Sequence, residues 1–553
     1  MKASPILYHL ASAFLLFSPF ASSFGPPSLP DNSLRKTTGL TMTKDGDAKE
    51  EKPKDGAAND NPLKTKRFES EHSLGDLKYK AVADWITLRK IHKPVAEMFY
   101  TSYSLEQSGD DAQQRPVTFV FNGGPGAASA YMHMGAVGPK RVKLGTKGTL
   151  PPPPTAIVDN DETWLGFTDL VFIDPIGTGF SRALDQSKKA KEADETEGKG
   201  PQENPEYWDI DKDLESLGEF IRRYLSQTGR WGSPVFIAGE SYGGYRVAKM
   251  ARRLQDGHGV GLNGAILISP AIEVDALTGN DYDLTYWIET LPAYAATAWH
   301  HKKGSHASES KDLEDVLKEA ETFARDDLIR WLAMGDVLDS QEIDRIVQKM
   351  SDLIGIDADF LKRANGRIDS TTFVRELLRD ERILCGHYDA SLTTTDPYPD
   401  RPTYQGPDPT LAAIDRYFTG AIHQHLLGNL NVETDLDYQL LRLDINGKWK
   451  DEQRKHVFDK TQGAMDDLRY GMSLNQHMKV FVCHGVYDLV TPYFHSERLI
   501  GLMKLTQSQK EEQMVTNHYQ GGHMFYSWDV SRKAFRDDIQ KLYEDATATS
   551  SSE

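Results

Sequence analysis

The sequence predicts a doubly wound α/β domain interrupted by a large, mostly helical insertion. Short, unbroken apolar runs recur at residues 117–121, 170–173, 235–238, 265–268 and 480–482. Such runs suit parallel strands covered on both faces. Between them lie helical patterns, the clearest being Ile210, Leu214, Leu217, Ile221 and Tyr224 on one helix face. Strands alternating with helices around an apolar sheet are the α/β layer architecture. The rhythm then breaks for about 200 residues between Ile268 and Lys479, where helical periodicity dominates. That stretch is read as a cap inserted over the sheet.

Taken in chain order, Lys2 precedes an uncharged stretch at 6–20 that contains Leu10, Phe14, Leu15, Leu16 and Phe17. Ala21, Ser22 and Ser23 follow, which completes the pattern of a signal peptide over 1–23. From Asp31 to Gly75 only 9 of 45 residues are apolar, too few to offset chain entropy, so 24–75 is read as a disordered linker or presequence. The expected destination is the secretory pathway, either secretion or an acidic organelle. The junction before Phe24, followed by Ser, Thr, Lys and Arg, also resembles bipartite presequences, which makes a plastid the alternative. No Asn-X-Ser/Thr sequon occurs anywhere in the chain.

Residues 82–89 and 95–104 alternate apolar and polar side chains and predict an early hairpin. The first part of the α/β body is expected over 76–271, the helical cap over 272–475 and the second part over 476–546. Within the cap, Leu313, Val316, Leu317, Ala320, Phe323 and Ala324 predict a helix, with Gly335 as its stop. The polar stretches 185–206 and 393–405 read as solvated surface loops.

Composition removes several function classes. Lys plus Arg is 64 against 82 for Asp plus Glu, a net charge of −18, and there is no basic stripe to meet a phosphate backbone. No nucleic-acid partner is expected. Only Cys385 and Cys483 are present, which excludes a disulfide framework and a four-cysteine metal site. Cys483 lies in an apolar strand and reads as inert core. No run of 18 apolar residues occurs, so no membrane span is expected. His423 and His425 lie two apart and would face different ways on a helix. His300 and His301 have no acidic partner at ligand spacing, so no metal is expected.

Three motifs carry chemistry. Gly239-Glu240-Ser241-Tyr242-Gly243 follows a strand and precedes a helix, the context of a nucleophile elbow that lifts a serine above a sheet. Asn122-Gly123-Gly124-Pro125-Gly126 follows the 117–121 strand; such a loop either presents a backbone N–H to an oxyanion or is only a tight turn. No Lys-Ser/Thr follows the glycines, so a phosphate loop is excluded. Asp488 follows the 480–482 strand and His523 sits in Gly521-Gly522-His523-Met524, 35 residues later. The order Ser, Asp, His is that of α/β-hydrolases.

Together with Ile173-Asp174-Pro175-Ile176-Gly177-Thr178-Gly179-Phe180-Ser181, these motifs make residues 80–545 resemble the serine carboxypeptidase family. Gly135-Ala136-Val137-Gly138-Pro139-Lys140-Arg141 and the missing cysteines, with Ala127 where the family commonly has one, resemble its bacterial branch. The resemblance implies an α/β-hydrolase fold and a serine-type carboxypeptidase that shortens peptides through an acyl-enzyme, without a cofactor. Ser241 would be the nucleophile, His523 the base and then acid, and Asp488 the group that orients the imidazole. The N–H groups of Gly124 and Tyr242 would form the oxyanion hole. Asn122, Gly123 and Glu240 would grip the substrate's C-terminal carboxylate, which requires a proton between the two carboxyls. A homodimer is compatible with the family and not required by it.

One position departs from the pattern. Many members carry a second acid two residues before the Gly-Pro, where this chain has Ala136. A lone Glu240 is expected to ionise more easily than one of a carboxyl pair, giving weaker carboxylate recognition and a less acidic optimum. Two alternatives stand beside the peptidase reading: an esterase or acyltransferase using the same triad, and a catalytically silent binding protein.

Overall fold

The structure is a computed structural model that describes residues 67–106, 114–184, 205–308, 311–401, 404, 406–456 and 459–548. The expected signal peptide, the linker up to residue 66 and most of the 185–206 loop lie outside the described residues.

The chain opens with three antiparallel strands, β1 (Phe68–Leu74), β2 (Leu77–Lys90) and β3 (Lys93–Leu105). After β4 (Val117–Phe121), a separate two-stranded ribbon is made by β5 (Lys140–Val142) and β6 (Ile157–Asp159). The sheet continues through β7 (Asp169–Ile173), the short β8 (Arg182–Ala183), β9 (Val235–Glu240) and β10 (Gly264–Ile268). A second ribbon, β11 (Ile383–Cys385) with β12 (Thr393–Thr395), lies in the insertion. β13 (Lys479–Gly485) and β14 (Met514–Tyr519) complete the body. The main sheet runs β1-β2-β3-β7-β4-β9-β10-β13-β14, with β8 paired to β3. From β7 to β14 every pairing is parallel.

Alternation along these strands explains why the sheet is covered on both sides. Successive side chains point to opposite faces. Val120, Phe172, Phe236, Ile266 and Phe481 join one core with Phe535, Ile539 and Tyr543 of the Asp529–Thr547 helix. Phe119, Val171, Ile237, Leu267 and Val480 join the other with the helices Ile210–Thr228 and Tyr242–Asp256. The first of these is the helix predicted from its stripe. Asp209 caps it by accepting from Asp211 N at 3.0 Å and Lys212 N at 3.2 Å, and Gly229 closes it in the left-handed region.

Three expectations need correction. β1 falls inside the stretch read as disordered linker to residue 75. Its sequence is polar, yet both apolar ends, Phe68 and Leu74, are buried and its backbone pairs with β2 over seven residues. An edge strand needs only a ladder and a few buried side chains, so low apolar content does not exclude one. The insertion is not a single cap either. Its helices Thr285–His300, Leu313–Phe323 and Ser340–Ile354 share a third core with Trp331 and Phe373. The Leu411–His423 helix belongs instead to the first core, and Met465, Leu468 and Met472 of the Met465–Leu474 helix belong to the second. The latter is the helix expected in a crossover between parallel strands. Third, the 393–405 stretch is not wholly a solvated loop: Thr393–Thr395 is β12, and Asp396 is buried against Arg375 at 3.1 Å. The helix predicted from Leu313 runs on through Ala324–Leu328 and Ile329–Met334, and Gly335 stops it at φ 53°.

Candidate active site

The sequence-predicted residues converge where the parallel strands end. Asn122-Gly123 follows β4, Ser241 follows β9, Asp488 follows β13 and His523 follows β14. The carboxyl ends of parallel strands are where open α/β sheets form their ligand crevice.

Ser241 has φ 62° and ψ −125°, strained values for a non-glycine residue, and the Tyr242–Asp256 helix starts at the next residue. The turn is tight enough that a Cβ at Gly239 would lie 2.2 Å from Gly243 O. A Cβ at Gly123 would lie 2.4 Å from Tyr242 N, so the glycine loop presses directly on the elbow. Gly124 and Ser241 line one pocket, with the N–H groups of Gly124 and Tyr242 on the loop and the elbow that border it. Neither donates a backbone hydrogen bond among the described residues.

His523 Nδ1 lies 2.7 Å from Asp488 Oδ2. Asp488 is fully buried and also accepts Val490 N at 2.8 Å, Thr491 N at 3.0 Å and Thr491 Oγ1 at 2.7 Å. Burial works to lower the pKa of His523, but the charge and hydrogen bond of Asp488, with Glu240 behind them, outweigh it and raise it above the ordinary imidazole value. Ser241 and His523 line the same pocket without a hydrogen bond between their side chains. Nucleophile–base contacts often close only around a substrate.

Beside the nucleophile, Glu240 is buried and receives Asn122 Nδ2 on Oε2 at 2.5 Å. Tyr526 OH lies 2.8 Å from Oε2 and 3.0 Å from Oε1. Desolvation pushes the Glu240 pKa up to about 7, against the lowering effects of His523, Tyr526 and Asn122. The sequence expectation compared a lone acid with a carboxyl pair; here it is burial that does most to raise the Glu240 pKa. Burial alone keeps the group protonated into neutral pH, and a tyrosine stands against it. Ala136 is buried too, and a Cβ at its neighbour Gly135 would come within 2.6 Å of Tyr526 Cε2, so a small residue at 135 makes room for that ring.

Sequence reasoning missed Tyr526 and two other parts of the site. Arg246 forms a buried fork with Asp213, with Nε at 2.7 Å from Oδ2, and gives Nη1 to Asn122 O at 2.5 Å. That pair ties the glycine loop to two helices. Tyr388, Leu411 and Leu441 of the insertion line the nucleophile pocket with Met524. Tyr388 O accepts His523 N, and its ring meets the imidazole edge-on at 5.2 Å. A charged residue on a helix's core-facing side was the one available signal, and it pointed to Arg246.

Other candidates lie elsewhere. Asp174 accepts Ser129 N at 2.9 Å and Tyr438 OH at 3.2 Å, and Gly179 pairs with Gln439, so the 173–181 motif fastens the insertion to the sheet. His425 is buried against Tyr103 OH at 2.6 Å, His423 bonds Thr419 O and His301 bonds Ala390 O. Among the described residues no group of three His, Cys, Asp or Glu could hold a metal, and no helix is long and apolar enough to cross a membrane. Cys385 and Cys483 are free and buried.

Sequence comparison agrees with this geometry. The chain is 26% identical to serine carboxypeptidase-like 7 of Arabidopsis thaliana over 195 residues, 34% of this chain and 38% of that protein. It is 25% identical to serine carboxypeptidase-like 22 of the same plant over 45% of this chain and 47% of that one. It is 28% identical to the pheromone-processing carboxypeptidase KEX1 of Phaeosphaeria nodorum over 29% and 20%. The matches thus span less than half the length of these curated relatives. The solved structure of proline iminopeptidase from Mycobacterium smegmatis overlaps 84% of this chain and 99% of that one at 12% identity, with a TM-score of 0.35, too low to carry weight. The serine carboxypeptidase family model matches residues 74–529, and the chain belongs to that family.

Proposed function

We propose that the protein is a serine-type carboxypeptidase that removes C-terminal residues from peptides through an acyl-enzyme. The observation that carries this reading is the buried Glu240 carboxyl beside Ser241, protonated below about pH 7 and braced by Asn122. A neutral carboxyl next to a nucleophile suits a substrate that ends in a carboxylate, because the two share one proton. An esterase or acyltransferase has no need of such a group.

Ser241 Oγ attacks the last peptide carbonyl while His523 Nε2 takes its proton and Asp488 holds Nδ1–H. The oxyanion is met by the N–H groups of Gly124 and Tyr242. His523 returns the proton to the leaving amine, and water then releases the acyl group. Tyr242, Tyr245, Trp449 and Leu277 wall a mainly apolar cleft on one side of Ser241, which suits an apolar acyl residue. A cavity of about 290 Å³ shares Tyr388 and Met524 with the nucleophile pocket and suits the leaving residue's side chain.

Incubation with mixed peptides, read by mass, is expected to show stepwise shortening from free C-termini and none from C-terminal amides. Equal cleavage of acids and amides overturns the reading. For the compartment, entry to the secretory pathway with cleavage near Ser23 is supported by Lys2 and the 6–20 stretch. A mature chain that still begins at Met1 overturns it.

A further inference from the structure

We propose that Tyr526 is a positioning residue for the substrate's C-terminus, acting through Glu240. Its hydroxyl donates to Oε2, the oxygen that Asn122 already occupies, and leaves Oε1 to carry the proton that meets the substrate carboxylate. The inference rests on the reading of Glu240 given above.

The geometry behind it is local and specific. Oε2 has two donors, Asn122 Nδ2 at 2.5 Å and Tyr526 OH at 2.8 Å, while Oε1 has only the longer 3.0 Å contact. A carboxylic acid keeps its proton on the oxygen that accepts fewer hydrogen bonds, because both lone-pair directions of the other are engaged. Asn122 cannot swing away, since its Oδ1 accepts Met132 N at 2.9 Å and its carbonyl accepts Arg246. Tyr526 is 1% exposed and does not line the nucleophile pocket. It therefore reaches the substrate only through Glu240. Its ring is wedged beside Gly135, so the hydroxyl is held by packing as well as by the bond it makes.

The tyrosine also tunes when the proton is lost. The other titratable groups acting on or around Glu240 are His523 and Asp488 from the loops after β14 and β13, with Tyr131, Tyr388 and Cys483. Burial drives the phenol pKa of Tyr526 far above its ordinary value, with Glu240 adding to the effect, so it acts only as a donor. A donor favours the carboxylate form of its partner. Removing it leaves burial less opposed and holds the Glu240 proton to higher pH.

The test measures kcat and KM from pH 5 to 9 with three probes: an N-blocked dipeptide acid, its C-terminal amide, and a neutral ester of an N-blocked amino acid. Tyr526→Phe is expected to move the alkaline fall in kcat/KM for the acid upward by about one pH unit. It is also expected to raise KM for the acid several-fold at pH 6 and leave ester turnover near wild type. Gly135→Ala, which pushes the ring away from Glu240, is expected to move the same limb in the same direction and stands in should Tyr526→Phe fail to fold. A limb that stays at its wild-type pH in a folded variant overturns the proposal, whatever happens to overall activity. Glu240→Gln separates the two levels. Should it abolish the limb while Tyr526→Phe leaves the limb in place, the carboxyl reading stands and the tyrosine role falls. Should Glu240→Gln leave both the limb and the acid-over-amide preference intact, the carboxyl reading falls, and the tyrosine role with it.

Discussion

Two buried carboxyls serve the pocket of Ser241, and the protein surrounds them differently. Asp488 meets two backbone N–H groups, a hydroxyl and the His523 imidazole. Glu240 meets two side-chain donors, crowded onto one oxygen, and no backbone donor among the described residues. Both are almost fully removed from water. The difference teaches that burial alone does not assign a role to a carboxyl; the number and placement of donors do. Four contacts hold Asp488 in place, and it in turn fixes a ring. Two leave Glu240 able to take up a proton near neutrality.

The largest effect expected from this contrast is at Asp488. Asp488→Asn offers an amide N–H to His523 Nδ1 and selects the wrong tautomer, and about a 10⁴-fold loss of kcat is expected with the fold intact. A loss below tenfold would show that the imidazole is held without the carboxylate and would erase the contrast. The second effect is on stability. Arg246→Met leaves Asp213 buried without its partner, at a cost of about 3–5 kcal/mol by chemical denaturation, and frees the Asn122 carbonyl. A variant as stable as wild type would mean that the glycine loop is held by its own turn.

At Glu240 the effect should appear in binding and pH dependence. Glu240→Gln is expected to lower kcat/KM for peptide acids by about 10–100-fold, mostly in KM, with little change for neutral esters. Glu240 and His523 shift each other, Glu240 raising the imidazole pKa and the imidazole lowering the carboxyl's. Removing the carboxyl should therefore abolish the alkaline limb and also move the acid limb to lower pH. An acid limb that stays in place would mean that the two groups titrate independently.

The parts of this contrast readable from sequence were those with a local signature. The elbow and the glycine loop are strand–turn motifs, and the apolar runs before them placed five of the parallel strands. β14 escaped because Met514–Tyr519 is an edge strand with exposed, polar positions. Tyr526 and the Asp213–Arg246 fork escaped for a different reason. Each depends on packing between segments tens to hundreds of residues apart, and no periodicity marks a side chain whose partner is that distant. Ala136 was read as a missing acid, whereas the fold gives Glu240 a phenol as partner and lets desolvation do the rest.

A last effect tests the same contrast through stability. Glu240 has a folded-state pKa of about 7 against 4.5 for an exposed side chain. A raised acid pKa means that the folded state holds the proton more tightly than the unfolded chain. Its contribution is fully present below about pH 4.5 and is lost as pH rises to about 7, beyond which it is flat. Wild type should lose up to about 3 kcal/mol across that window from this group alone. Glu240→Gln has no proton to lose, so the stability of the variant minus that of wild type should climb from pH 5 to pH 7 and then level off. A flat difference for Glu240→Gln would mean that Glu240 is an anion throughout this range, and the pocket would then repel the C-terminal carboxylate it is proposed to hold.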